Sequence, residues 1–191
     1  MRGREFGDVI VRILALLLSL IAASSALTAT IQVAAVTSPD QWTLGAGADK
    51  VVAVNSPNDN DTSYIACSVA DDIEQYSIAS NSIPVGSSIN SASVYTRCKS
   101  MAGGTTRWVV GLKLAGTTSL SGYALAGYSY ADNTTLVSRP GGGNWNLSDL
   151  TTLEVLIKFR FDATRHMRCT SLWLIVDYSP PPSAGNFFEV F

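Results

Sequence analysis

Hydrophobic and polar positions alternate along several short segments in the second half of the chain. In TTRWVVGLKLA, Arg107 and Lys113 share one face; in LEVLIKFRF, the charged residues fall opposite the apolar ones. Alternation with a period of two predicts strands with one face buried in a core. The positions predicted to face a core are Thr106, Trp108, Val110, Leu112 and Leu114, then Leu153, Val155, Ile157, Phe159 and Phe161, and in SASVYTRC Ala92, Val94, Thr96 and Cys98.

Other segments complete an all-β reading of the chain from Asp40 onward. CTSLWLIVDY is apolar on both faces, which predicts a central strand covered on both sides. Turn sequences such as NSPNDND, SIPVGSS and RPGGGN separate the candidate strands, and NLSDLTTL predicts one short helical turn capped by Ser148. The fold class predicted is a two-sheet β-sandwich of jelly-roll type. Weaker strand candidates are Lys50–Val54, Thr62–Val69, Gln75–Ala79 and Tyr123–Ala131.

The N-terminal region differs from the rest because Ile13–Val36 contains no charged residue. Basic residues precede it, and no Lys or Arg follows until Lys50, an asymmetry that places the chain after this run outside a membrane. Three readings stay open: a signal peptide removed after Ala26, a retained membrane anchor, or a hydrophobic helix packed against other subunits. TATIQVAAV alternates and is rich in β-branched residues, so it favours a strand.

These patterns divide the chain into three parts. Residues 1–36 form a hydrophobic signal, anchor or assembly segment, and residues 40–178 form the β-sandwich domain. Residues 179–191 form a proline-rich tail whose apolar end either packs on the domain or enters a neighbouring subunit.

Composition and charge exclude several classes of function. The net charge is −2, so there is no overall basic field to hold nucleic acid. The three cysteines include no CxxC pair and the chain has a single histidine, a pattern that argues against a zinc site. Cys67, Cys98 and Cys169 leave open one disulfide with a spare thiol, three buried thiols, or an intermolecular bridge.

Catalytic chemistry finds little support in the residue pattern. His166 falls in a predicted hairpin between two basic residues, and no GxSxG sequence presents a serine nucleophile. Asp71 and Asp72 are sequence neighbours whose side chains point apart, so they form no acid–base pair. The sequence therefore predicts no enzyme and no obligatory cofactor.

Two kinds of ligand remain candidates. NSPNDNDTSY carries oxygen donors, among them Asp59 and Asp61, that suit a hard cation such as calcium, although Asx turns explain the same residues. Aromatic side chains on a sheet face or loop edge would stack on sugar rings. The candidates for glycan stacking are Trp42, Trp145, Tyr123, Tyr128 and Tyr130.

The order of several motifs resembles a β-sandwich domain that recurs in virion and tail proteins of tailed phages. The motifs are Trp42, then NSPNDNDTSYI, SIPVGSSINSASVYTR, RPGGGNWNLSDLTTLEVLIKF and SLWLIVDY, which together cover about Asp40 to Tyr178. The resemblance implies a jelly-roll-like domain with a structural role and no catalytic signature. The signal-like N-terminus departs from those domains and also suits a membrane-containing virus, a prophage remnant or a cell-surface protein.

The function predicted is a non-enzymatic, surface-displayed structural or attachment subunit on a virion, a filament or a cell. Its partners would be copies of itself or other surface subunits, with a membrane contacted through Ile13–Val36. One alternative is a secreted carbohydrate-binding β-sandwich module. The other is a filament subunit with Ile13–Val36 as its helical core, because MRGREF followed by an apolar run resembles a type IV pilin.

Overall fold

The computed structural model describes residues 25–56, 60–101, 106–160 and 166–182. Within these residues strands dominate, and they are joined by one short α-helix and two short 3₁₀ helices, at Asn60–Thr62 and Leu147–Thr151. The elements in chain order are β1 (Leu27–Asp40), β2 (Thr43–Ala46), α1 (Lys50–Asn55), β3 (Tyr64–Cys67), β4 (Ile73–Ile78), β5 (Ser88–Ser100), β6 (Thr106–Leu114), β7 (Thr117–Ala126), β8 (Ala131–Leu136), β9 (Glu154–Phe159) and β10 (Met167–Ser179).

The strands form two antiparallel sheets that share β1. In sheet A, β10 pairs with β5, which pairs with β8; the other edge of β10 pairs with the first half of β1 and with β3, beyond which lies β2. In sheet B, the second half of β1 pairs with β4, followed by β9, β6 and β7. The strand β1 passes from sheet A to sheet B between Gln32 and Val33.

The strand order is that of a jelly roll. Without the short β2 and β3, sheet A runs β1–β10–β5–β8 and sheet B runs β4–β9–β6–β7. Successive strands therefore exchange between sheets, except at the β6–β7 hairpin, which stays within sheet B. The two-sheet sandwich expected from the sequence is confirmed.

The core lies between the inner faces of the two sheets. Trp108 of sheet B is buried and its indole Nε1 donates a hydrogen bond to Thr96 Oγ1 of sheet A, 3.1 Å away, so the two layers are in direct contact. Every inward position predicted on β5, β6 and β9 is buried, apart from Phe161, which lies outside the described residues. The strand β10 is central in sheet A, as its two apolar faces predict.

Three local predictions differ from the structure. Lys50–Val54 is the helix α1 and not a strand, because the Asp49 carboxylate caps it by accepting a hydrogen bond from the backbone N–H of Val52 (2.8 Å). The predicted strand Tyr123–Ala131 is interrupted after Ala126, where residues 127–130 form a bend before β8 begins. In NLSDLTTL, Asn146 and not Ser148 stands at the N-cap, and the Asp149 carboxylate accepts from its backbone N–H (2.9 Å).

The two ends of the chain are described only in part. TATIQVAAV lies within β1 and is a strand, as predicted. The predicted hydrophobic helix, signal or anchor segment lies outside the described part over residues 1–24, as does the apolar end of the tail. The last part of that segment, residues 27–36, is strand and not helix, because it pairs with β10 and β4. Among the described residues, no helix has the length and apolar character needed to cross a membrane.

Candidate functional site

The outer face of sheet B carries an exposed tyrosine surrounded by charged side chains. The strand register places Tyr123 of β7 beside Val109 of β6, and Val109 beside Lys158 of β9. We call this region the Tyr123 face, and define it by Asp71, Arg107, Val109, Tyr123, Lys158 and Arg160.

A β-bulge in the β6–β7 hairpin sets the position of the tyrosine. Between Val109 and Gly111 the partner strand contains one extra residue, and the Ser121 hydroxyl accepts a hydrogen bond from the backbone N–H of Val110 (3.1 Å). As a result both Leu120 and Tyr123 point outward, with 51% and 58% of their surfaces exposed. Bulges commonly redirect a side chain in this way.

Arg160 connects the tyrosine to a carboxylate. Its NH2 group donates to the Tyr123 hydroxyl at 3.4 Å, and its guanidinium carbon is 5.9 Å from the centre of the tyrosine ring. Its NH1 group donates to Asp71, whose carboxylate also receives Lys158 Nζ at 3.1 Å. These bonds from Lys158 and Arg160 lower the pKa of Asp71, so the group is ionised at neutral pH.

The backbone before β4 holds Asp71 in place. Its φ of 69° is in the left-handed region, which aspartate tolerates better than most residues. The backbone N–H of Asp71 donates to the carbonyl of Phe159 (2.9 Å), and the N–H of Phe159 donates to the carbonyl of Asp72 (3.0 Å). The turn is therefore tied to β9 next to Arg160.

Two hollows of about 220 Å³ each adjoin Tyr123. The first is lined by Ala70, Asp71, Arg107, Tyr123 and Arg160. The second is lined by Val109, Leu120, Ser121, Tyr123, Lys158 and Arg160. The face thus offers an aromatic ring, apolar side chains, several N–H donors and one carboxylate acceptor within a shallow surface.

The other aromatic candidates are in different surroundings. Trp42 is 2% exposed and donates from Nε1 to the carbonyl of Asp72 (3.2 Å), so its ring belongs to the core and offers no stacking surface. Trp145 is half-buried and packs against the core. Tyr128 is 64% exposed in the bend between β7 and β8, outside the residues that line the hollows. Of the five candidates, only Tyr123 lies on an open sheet face.

Tyr130 is held in a network of charges on sheet A. Its hydroxyl donates to Asp61 (3.1 Å), and Lys99 Nζ lies 4.6 Å from its ring centre. Burial and Asp61 together raise the pKa of Tyr130. The ring is therefore committed to neighbours within the chain.

The calcium candidates are only partly described, because Asp59 lies outside the described residues. The Asp61 carboxylate accepts from Lys99 Nζ and Arg168 NH1, both at 2.6 Å, in addition to Tyr130. These bonds, that of Lys99 foremost, lower the pKa of Asp61 to about 2. Lys99 and Arg168 already neutralise the Asp61 carboxylate, which opposes the binding of calcium there. The described residues also contain no cluster of three metal-ligating side chains.

In the described part of the chain, the histidine and the cysteines are not arranged as a catalytic or metal-binding site. His166 is exposed and lies immediately before β10. All three cysteines are buried free thiols, and Cys98 and Cys169 lie opposite each other on β5 and β10. Burial raises the pKa of Cys67 to about 11, and it also raises that of Cys98. Such thiols are poor nucleophiles at neutral pH.

Sequence reasoning named Tyr123 and assigned Arg107, Lys158 and Arg160 to polar strand faces, but it did not join them into a site. It considered Asp71 only as a partner of Asp72. The available signal was the alternation itself, which placed each of the three cations on an outward position of its strand.

No protein-family model and no curated protein matches the sequence. Among solved structures, the chain is similar to the CBM36-1 domain of a multidomain xylanase from the hindgut metagenome of Trinervitermes trinervoides, with 16% identity, a TM-score of 0.40, and coverage of 78% of this chain and 96% of that one. It is also similar to the family 11 carbohydrate-binding module of the cellulosomal cellulase Lic26A-Cel5E of Clostridium thermocellum, with 9% identity, a TM-score of 0.37, and coverage of 78% and 82%. Both likenesses are distant, and neither assigns a ligand to this chain.

Proposed function

We propose that this chain is a non-catalytic carbohydrate-binding β-sandwich module whose ligand lies on the Tyr123 face. The observation that carries the proposal is the exposed Tyr123 ring between two hollows, with a guanidinium and a carboxylate at its rim. We place the module outside the cell, because Arg2, Arg4 and Arg12 precede the uncharged Ile13–Val36.

The chemistry of this face matches that of a sugar. A pyranose presents axial C–H groups on one side, which pack on an aromatic ring, and hydroxyls around its edge, which need donors and acceptors together. Arg160 supplies planar N–H donors and Asp71 supplies an acceptor. Because these two groups already bind each other, they are held in place before a ligand arrives, and less entropy is lost on binding.

The test is isothermal titration calorimetry of the full chain against soluble xylan, mixed-linkage β-glucan, galactan and polygalacturonate. Truncation of a central aromatic anchor commonly costs about 2 kcal/mol or more, so Tyr123→Ala is expected to weaken binding at least about tenfold. The control is Tyr128→Ala, which removes a tyrosine of similar exposure (64%) outside the face and is expected to leave the affinity unchanged.

The proposal fails if no polysaccharide binds, or if Tyr123→Ala binds as tightly as the wild type. Thermal unfolding of both variants accompanies the titrations. Tyr123 is 58% exposed, so its truncation is expected to change the melting temperature little.

A structural or attachment role in a surface assembly is a second candidate. Among the described residues, β7 pairs only with β6 and β8 only with β5, so each leaves an open strand edge. Leu136 on β8 is 66% exposed. Open edges with apolar side chains favour pairing with another chain. Sedimentation velocity tests this role: a concentration-dependent oligomer that Leu136→Lys dissociates would support it, and a monomer at all concentrations would oppose it.

A further inference from the structure

Cys98 and Cys169 lie directly opposite each other on β5 and β10, the two long inner strands of sheet A. Both side chains are fully buried. Opposite residues of an antiparallel pair point to the same face of a sheet, which here is the inner face that Thr96 also occupies. The two residues are free thiols in the structure, and a hydrogen bond joins the thiol groups.

The hydrogen-bond pattern of the ladder shows that the two cysteines are at the closer kind of pair. The backbone N–H of Met101 donates to the carbonyl of His166 at 2.8 Å, so these residues form a hydrogen-bonded pair. Hydrogen-bonded and non-hydrogen-bonded pairs alternate, and Cys98–Cys169 is three pairs further along with no register shift between. It is therefore a non-hydrogen-bonded pair, in which the Cα atoms are typically about 4.5 Å apart. A disulfide spans Cα separations of about 4.4–6.8 Å.

The third cysteine is poorly placed to pair with either of the other two. Cys67 on β3 lies opposite Met167, and Cys169 lies opposite Ile65, so Cys67 and Cys169 are diagonal neighbours. Diagonal neighbours are about 7–8 Å apart, which a disulfide does not span without backbone movement. Cys98 lies on the far side of β10 from Cys67, two strand spacings or about 9.5 Å away. Of the three possible pairings, only Cys98 with Cys169 fits the sheet.

From this geometry we infer that Cys98 and Cys169 form an intramolecular disulfide that cross-links β5 to β10, and that Cys67 remains a thiol. Disulfides form and persist in oxidising compartments outside the cytoplasm. The inference uses the extracellular location proposed above and does not depend on a carbohydrate ligand.

The bond forms by exchange with a second disulfide, which is the oxidant. One cysteine thiolate attacks that disulfide, which gives a mixed disulfide and releases one thiol; the other cysteine thiolate then attacks the protein sulfur and releases the second thiol. The two cysteine protons pass to the released thiols, and two electrons pass to the oxidant. Because both sulfurs are buried and burial raises the pKa of Cys98, we expect the exchange to occur during folding, before the sheets close.

The experiment refolds the full chain, first reduced and unfolded in urea, by dilution into a buffer of reduced and oxidised glutathione. The remaining thiols are blocked with N-ethylmaleimide, and the chain is digested with trypsin. Trypsin cleaves after Arg97, Lys99 and Arg168, so the three cysteines fall on three different peptides. Mass spectrometry is expected to find the two peptides of the proposed pair linked, and one blocked thiol per chain, on Cys67.

Cys67→Ala and Cys98→Ala are matched variants, since each removes one buried thiol. A disulfide that closes a loop of about 70 residues stabilises a fold by restricting the unfolded chain. Reduction is therefore expected to lower the melting temperature of the wild type and of Cys67→Ala by about 6–16 °C. The melting temperature of Cys98→Ala is expected to be the same in oxidising and reducing buffer.

Three results would overturn the inference. Three blocked thiols per chain after refolding would show that the pair does not close. A link that includes Cys67, or one between two chains, would show that another pairing forms. An unchanged melting temperature of Cys67→Ala on reduction would show that the two strands are not cross-linked. If Cys98→Ala fails to fold, the peptide map of the wild type still decides, and the polysaccharide titrations test the proposed function separately.

Discussion

Replacing Lys50 by methionine is expected to destabilise the fold by leaving a buried carboxylate without its cation. Glu74 of β4 is fully buried, and its Oε1 accepts from Lys50 Nζ at 3.0 Å. Its Oε2 accepts from the backbone N–H of Trp42 at 2.8 Å. Lys50 also pairs with Asp40 at the end of β1, so its ammonium joins the start of α1 to sheet B.

The magnitude follows from the surroundings of the two charges. Removing one partner of a buried ion pair costs about 3–5 kcal/mol. The lower end applies here, because Glu74 keeps the hydrogen bond from Trp42 and the Lys50 side chain is 16% exposed to water. We therefore expect Lys50→Met to lower the free energy of unfolding by about 3 kcal/mol at pH 7. For a domain of this size that is a fall of about 6–12 °C in melting temperature.

The loss is expected to depend on pH. Burial raises the pKa of Glu74, and the bonds from Trp42 and Lys50 only partly oppose that effect. A carboxyl whose folded pKa lies above its unfolded pKa binds its proton more tightly in the folded state, so its ionisation costs stability as pH rises through the folded pKa. Without Lys50 this pKa rises further, and the variant recovers stability at low pH by protonating Glu74.

Urea unfolding at pH 8 and pH 5 measures both effects. The difference between wild type and Lys50→Met is expected to be smaller at pH 5, and the double variant Lys50→Met/Glu74→Gln is expected to recover more than half of the loss at pH 8. A loss below about 1 kcal/mol, or an equal loss at both pH values, would refute the reasoning.

Two further predictions concern the outer faces of the sheets. Gly111→Ala is expected to lower the free energy of unfolding by about 1–3 kcal/mol by overpacking, since a Cβ there would lie 2.7 Å from a carbonyl oxygen of β7. The control is Gly122→Ala, whose Cβ would meet nothing within 4 Å. Equal urea midpoints for the two variants would contradict the prediction. Asp61, whose pKa falls from 3.8 to about 2, is expected to contribute stability that is present above pH 4 and lost as pH falls to 2. In acid unfolding, Asp61→Asn should therefore lose less free energy of unfolding than the wild type between pH 4 and pH 2. The difference is expected to be modest because the carboxylate is half exposed. An equal loss in both proteins would show that other groups control this pH dependence.

The core was predictable because burial follows local alternation. The inward positions predicted for residues 92–98 on β5 and 106–114 on β6 recur with a period of two, and all of them are buried. The helix α1 was not predictable in this way. Its sequence KVVAVN has high β propensity, and the cap from Asp49 together with the burial of Ala53 and Val54 overrides that propensity.

The site was less predictable because its parts are far apart in the sequence. Asp71 and Arg160 are separated by 89 residues, and Arg160 and Tyr123 by 37. Alternation assigns Lys158 of β9 and Arg160, which follows that strand, to an outer face but says nothing about which strands are adjacent. The adjacency comes from the jelly-roll order, in which β9 lies between β4 and β6.

The position of Tyr123 shows how a single residue decides between core and ligand surface. Leu120 and Tyr123 are three positions apart, so strict alternation would place one of them inward and the other outward. The extra residue of the bulge lets both side chains point outward, because Leu120 lies opposite Gly111 and Tyr123 lies opposite Val109 on the same face of the sheet. A β7 without the extra residue would turn the tyrosine ring into the sandwich, where Ala124 and Trp108 already occupy the inner face. The bulge is therefore as much a part of the proposed binding site as the ring that it exposes.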